Sequence, residues 1–79
     1  MMALLREIEK KEPQNPKIHS EINGSYQTFE IPGDRKYIQI DTYGSKNRKF
    51  PGKISQSLQF DEKSAREFFE ILRKEFDFK

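Results

Sequence analysis

The segment from Glu62 to Phe76 constrains the fold of this chain more than any other. Its apolar residues Ala65, Phe68, Phe69, Leu72 and Phe76 fall at helical spacing, and Ile71 widens the stripe. That pattern predicts an amphipathic helix with one apolar face. Asp61 precedes it as an N-cap, because its carboxylate can accept from the orphan amides of the first turn. Phe60 before the cap and Ala65 after it fit a hydrophobic staple. A stripe of this kind needs a surface to lie on, and the residues before it supply one.

Those residues alternate with a period of two. Lys36–Tyr43 is the clearest strand: Ile38, Ile40 and Thr42 point one way, and Tyr37, Gln39, Asp41 and Tyr43 the other. Lys53–Phe60 repeats the pattern, with Ile54, Leu58 and Phe60 on one side and Lys53, Ser55, Ser57 and Gln59 on the other. Ser25–Ile31, rich in aromatic and β-branched residues, is a third strand, closed by the turn Pro32-Gly33-Asp34. Lys17–Ile22 reads as a short strand leading into Asn23-Gly24, a hairpin signal. Residues 1–12 fit a helix or a strand equally, and Pro13-Gln14-Asn15-Pro16 breaks the chain after them. Strands first and one long helix last give an α+β fold. We expect an antiparallel β-sheet of about four strands, with the C-terminal amphipathic helix packed on one face. Residues 1–79 form a single domain, with residues 1–16 as a candidate loosely ordered segment.

At 79 residues, with 33% hydrophobic and 35% charged, the chain has a thin core that dimerisation would relieve. It has no cysteine, so neither a disulfide framework nor a thiolate metal site can form. This suits an intracellular, cytoplasmic protein, or one of the nucleoid or nucleus. No apolar run is long enough to span a membrane, and residues 1–12 lack the extended apolar stretch of a secretory signal. The net charge of +2 is unevenly placed. Residues 31–60 carry Arg35, Lys36, Lys46, Arg48, Lys49 and Lys53 against Asp34 and Asp41, while both flanking thirds are slightly acidic. A central basic stretch suits a polyanionic partner; it equally suits lysines that solubilise a turn.

Few residues point to catalysis. His19 has no second histidine or cysteine with which to hold zinc. Ser45, Ser55, Ser57 and Ser64 lack a nucleophile elbow, and Gly44-Ser45-Lys46 lacks the second glycine and the helix of a phosphate loop. Asp34 and Asp41 flank the strongest strand, but the next strand has no carboxylate before Asp61, as a two-metal nuclease would require. Asp34 reads as a turn residue, and Asp41 as an exposed strand residue paired with a neighbouring lysine. The chain therefore reads as a non-enzyme without metal or cofactor.

The polar sheet face is more informative. Tyr37, Gln39 and Tyr43 lie beside a loop that carries Lys46, Arg48, Lys49, Phe50 and Lys53. Aromatics interleaved with cations and amides on an open sheet suit single-stranded nucleic acid: bases stack on the rings and cations follow the phosphates. Tyrosines in a strand also reflect plain β propensity.

Lys36 to Phe76, about half the chain, resembles the positive cofactor four family of single-stranded DNA-binding transcriptional coactivators. The resemblance runs through Tyr37-Ile38-Gln39-Ile40-Asp41, the basic stretch Lys46-Asn47-Arg48-Lys49-Phe50-Pro51-Gly52-Lys53, the strand end Leu58-Gln59-Phe60-Asp61, and the helix Glu62 to Phe76. Asp41 stands where that family has a basic residue, and Phe50 where it has tryptophan. The resemblance implies a curved four-stranded antiparallel sheet, a homodimer through the helices, and nucleic acid running across the sheets. It places binding on Tyr37, Gln39, Lys46, Arg48, Lys49 and Lys53. Tyr43 and Phe50 are stacking candidates from the residue pattern itself. Ala65, Phe68, Phe69, Leu72 and Phe76 are the packing and dimer residues. The expectation is a single-stranded nucleic-acid-binding module; the alternative is a protein-interaction domain that docks through the helix face or the sheet edge.

Overall fold

A computed structural model of the chain describes residues 2–44 and 54–79. Four strands and one helix follow in order: β1 (Met2–Leu5), β2 (Gly24–Glu30), β3 (Lys36–Tyr43), β4 (Ile54–Phe60) and α1 (Glu62–Phe76). The α+β class and the span of the helix are as the sequence predicts. The strands form one sheet in the order β1-β4-β3-β2. β2, β3 and β4 pair antiparallel, whereas β1 runs parallel to β4, with Met2 opposite Ser57 and Leu5 opposite Phe60. The sheet is therefore mixed rather than wholly antiparallel. The ambiguous N-terminal segment resolves as a strand. It pairs not with its neighbour in sequence but with the last strand, and the long connection 6–23 carries the chain to β2 at the opposite edge of the sheet.

The β2–β3 hairpin closes as expected at Pro32-Gly33-Asp34. The Asp34 amide donates to the Ile31 carbonyl at 2.8 Å, and Gly33 sits at φ 77°. Proline then glycine at the two central positions is the signature of a type II turn, whose second position needs positive φ. The other expected hairpin is absent. Lys17–Ile22 is not a strand, and Gly24 is the first residue of β2. A type I′ turn needs positive φ at both central residues, and neither Asn23 nor Gly24 has it. Ile18 is 99% exposed, so that segment has no apolar partner to hold it in a sheet. Gly24 instead serves close approach, since a Cβ there would lie 3.2 Å from the Asp41 carbonyl oxygen.

Helix α1 is capped at both ends. The Ser64 amide donates to the Asp61 carboxylate at 2.9 Å, and the Asp61 amide donates back to the Ser64 hydroxyl at 3.1 Å. This is a reciprocal capping box with serine in the usual place of Glu or Gln. At the other end Asp77 turns left-handed, and the Phe78 amide donates to the Arg73 carbonyl.

The helix meets the sheet at β3 and β4. Phe68 stacks on Phe60, with ring centroids 5.4 Å apart. Phe60 is the one buried hydrophobic residue among the described residues. The strand register fixes which side chains share its face: Leu5 and Ala3 on β1, Leu58 on β4, Ile38 and Ile40 on β3, Thr28 and Tyr26 on β2. The apolar stripe, expected to serve both packing and a dimer, is only partly used against this face. Ala65, Phe68, Ile71 and Leu72 are partly covered, but Phe69 is 58% and Phe76 66% exposed. The helix engages the sheet at the Phe60 end, and its other apolar edge overhangs. No helix among the described residues is long and apolar enough to cross a membrane.

Candidate nucleic-acid interface

The face turned away from the helix is built from alternate residues of all four strands. Period two in β3 sends Tyr37, Gln39 and Asp41 there, opposite Ile38 and Ile40. The register then brings Phe29 beside Tyr37, and Gln27 beside Gln39. Gln59 follows on β4, and Leu4 on β1. Ser25, Asp41, Ser57 and Met2 form the next row.

Each row has its own chemistry. Tyr37 stacks on Phe29 at 5.6 Å between centroids, and its hydroxyl donates to Asp34 in the turn at 3.4 Å. Leu4, Phe29, Ile31, Tyr37 and Gln59 line a shallow groove at this end. The middle rows are a hydrogen-bonded polar network. Gln39 and Gln27 donate through Nε2 to the Asp41 carboxylate at 2.8 and 3.2 Å. Ser57 donates to the same carboxylate, and Gln59 donates to Oε1 of Gln39 at 2.9 Å. At the far end the Tyr43 and Ser25 hydroxyls share a hydrogen bond of 2.7 Å, beside a bulge that shifts the β3–β4 register and sets Ile54 opposite Tyr43.

Asp41 is the main correction to the sequence reading of this face. It is not an exposed strand residue beside a lysine. It is 3% exposed, covered by its own neighbours, and bound by neutral donors. Those bonds hold its carboxyl below the usual value, the Ser57 hydroxyl first and Gln39 next, against the opposing pull of desolvation. Ionised, it is a pure acceptor.

Of the residues predicted to bind, Tyr37, Gln39 and Tyr43 share this face, each partly exposed. Lys46, Arg48, Lys49, Phe50 and Lys53 lie outside the described residues. Ser25, Gln27, Phe29, Leu4 and Met2 belong to the same face and were missed. The alternation of Ser25, Gln27 and Phe29 is visible in the sequence, but only the register of β2 on β3 joins it to Tyr37 and Gln39. Asp34 sits exposed in the turn and accepts from the Arg35 amide at 2.8 Å, so it and Asp41 are not brought together. His19 lies on the exposed connection before β2.

Comparisons with family models, with curated proteins and with solved structures find no match for this chain.

Proposed function

We propose that this chain is a binding module for single-stranded nucleic acid, not an enzyme, and that it works as a homodimer. The observation that carries the reading is the open sheet face. Partly exposed tyrosines stand at its two ends, Tyr37 and Tyr43, with a row of three glutamines and a row of Ser25, Asp41 and Ser57 between them. The tyrosines are six steps apart along the strand, about 20 Å at ~3.4 Å per residue, enough for several bases to lie along the strand. Each base stacked on a ring is worth roughly 1–3 kcal/mol. The stretch between β3 and β4 carries Lys46, Arg48, Lys49 and Lys53, charges suited to the phosphates. The resemblance to the positive cofactor four family points the same way and favours DNA over RNA.

The homodimer rests on uncovered surface. The chain exposes 7630 Å², against roughly 5,000 Å² for a compact monomer of its mass. Its radius of gyration is 14.8 Å, against roughly 11.6 Å for a compact domain of this length. Phe69 and Phe76 on the helix, with Phe78 beyond it, contribute to that exposed apolar surface, alongside the still more exposed Ile18, Met2 and Tyr26.

Fluorescence anisotropy with a short labelled oligonucleotide at several salt concentrations tests the binding. Affinity should fall steeply with salt, and replacing Lys46, Arg48 and Lys49 together should flatten the slope by about the number of phosphates released. Absence of binding at low salt contradicts the proposal. The same exposed phenylalanines favour a second reading, a domain that docks a partner protein by its helix. There Phe69→Glu would abolish partner capture, and the triple cation change would leave it intact.

A further inference from the structure

We infer that Asp41 is a positioning residue that sets the base preference of the sheet face, turning its glutamines so that the face favours bases bearing an exocyclic amino group over thymine or uracil. This deepens the nucleic-acid reading and rests on it.

The geometry runs outward from one charge. An ionised carboxylate can only accept, so any amide touching it must present its nitrogen. Gln27 and Gln39 both do so. With its nitrogen committed to Asp41, Gln39 has its oxygen free on the other side, and that oxygen must receive a donor. Gln59 supplies it through Nε2. One carboxylate therefore fixes the orientation of three amides across three adjacent strands, Gln27 on β2, Gln39 on β3 and Gln59 on β4.

The atoms left over make the recognition surface. No buried side-chain nitrogen or oxygen among the described residues lacks a partner. The oxygens of Gln27 and Gln59 accept no hydrogen bond among those residues, so they face solvent. They flank Gln39 on neighbouring strands, hence roughly 10 Å apart at ~4.8 Å per strand, far enough to address separate bases. Each of the three amide nitrogens keeps a second proton, but the Gln27 and Gln59 oxygens keep two lone pairs each and the Gln39 oxygen one, so unused acceptor sites outnumber unused donors. The negative charge of Asp41 beneath strengthens that bias.

An acceptor-rich surface discriminates among unpaired bases. Adenine and cytosine carry an amino group that donates outward. Thymine and uracil present two carbonyl oxygens around a single N–H, and those oxygens meet the glutamine oxygens and the Asp41 field unfavourably. The difference amounts to about one hydrogen bond, roughly tenfold in affinity.

The test is anisotropy on the intact chain with labelled oligo-dA, oligo-dC and oligo-dT of equal length at one salt concentration, repeated with Asp41→Asn. The expected result is about tenfold tighter binding of oligo-dA and oligo-dC than of oligo-dT. In Asp41→Asn, whose carboxamide can both donate and accept, the ratio should fall toward one with the salt slope unchanged. Equal affinity of the unaltered chain for all three overturns the inference and leaves the nucleic-acid reading standing. So does an unchanged ratio in Asp41→Asn with a native circular dichroism spectrum. Binding to none of the three overturns both. The homopolymer comparison needs no substitution, so it decides the matter even where Asp41→Asn fails to fold.

Discussion

At the residue scale, Asp41 and Ser64 carry the sharpest consequences. Asp41 has a folded pKa below its ordinary value of 3.8, caused first by the Ser57 hydroxyl and then by Gln39. Its contribution to stability is therefore complete above the unfolded value and is lost as pH falls through the depressed folded value. Asp61 behaves alike, held down chiefly by the Ser64 amide. Stability followed by urea titration should be flat with respect to these two groups above about pH 5 and decline below about pH 4. Asp41→Asn should lower stability at neutral pH and flatten the acid decline; an unchanged acid profile would contradict the network. Ser64 is 1% exposed, and its hydroxyl accepts from the Asp61 amide. Ser64→Ala should cost about 1 kcal/mol in the same titration, because the returning half of the capping box is lost.

At the element scale, the sequence is most legible where local chemistry alone decides. The helix Glu62–Phe76, its Asp61 cap, the strand Lys36–Tyr43 and the Pro32-Gly33 turn are all set by residues within a few positions of one another. Gly33→Ala should destabilise by about 1 kcal/mol, since φ 77° suits glycine and a Cβ there meets only open space. The elements that were not legible depend on distant partners. Met2–Leu5 is a strand only because β4 offers it an edge fifty-odd residues away in sequence. Asn23-Gly24 has the composition of a hairpin turn but no strand on its N-terminal side. Spacing identified the apolar stripe of the helix, but it could not tell which edge would touch the sheet. The Phe60–Phe68 stack settles that. Phe60→Ala, at a residue 4% exposed, should cost about 3 kcal/mol or more by thermal or chemical denaturation. Leu72→Ala, at a half-covered position, should cost clearly less. A reversed order would mean that the helix packs elsewhere.

At the scale of the whole molecule, two surfaces face in opposite directions. The helix side leaves Phe69 and Phe76 exposed, and Phe69→Glu should shift the mass in solution, measured by sedimentation, from dimer to monomer without unfolding the chain. A monomer before the substitution would contradict the homodimer. The candidate site was half legible. The sequence placed Tyr37, Gln39 and Tyr43 together because one strand carries them all. Gln27, Ser25 and Phe29 come from another strand, and no local pattern shows that they join. The burial of Asp41 follows from that joining, because the side chains covering it include ones supplied by β2 and β4. The most direct test of the central claim is a two-dimensional NMR titration of labelled protein with a short single-stranded oligonucleotide. The side-chain amides of Gln27, Gln39 and Gln59 and the backbone amides of β2, β3 and β4 should move most, with Phe69–Phe78 nearly still. Shifts confined to the helix, or no shifts at low salt, would contradict a nucleic-acid face on the open side of the sheet.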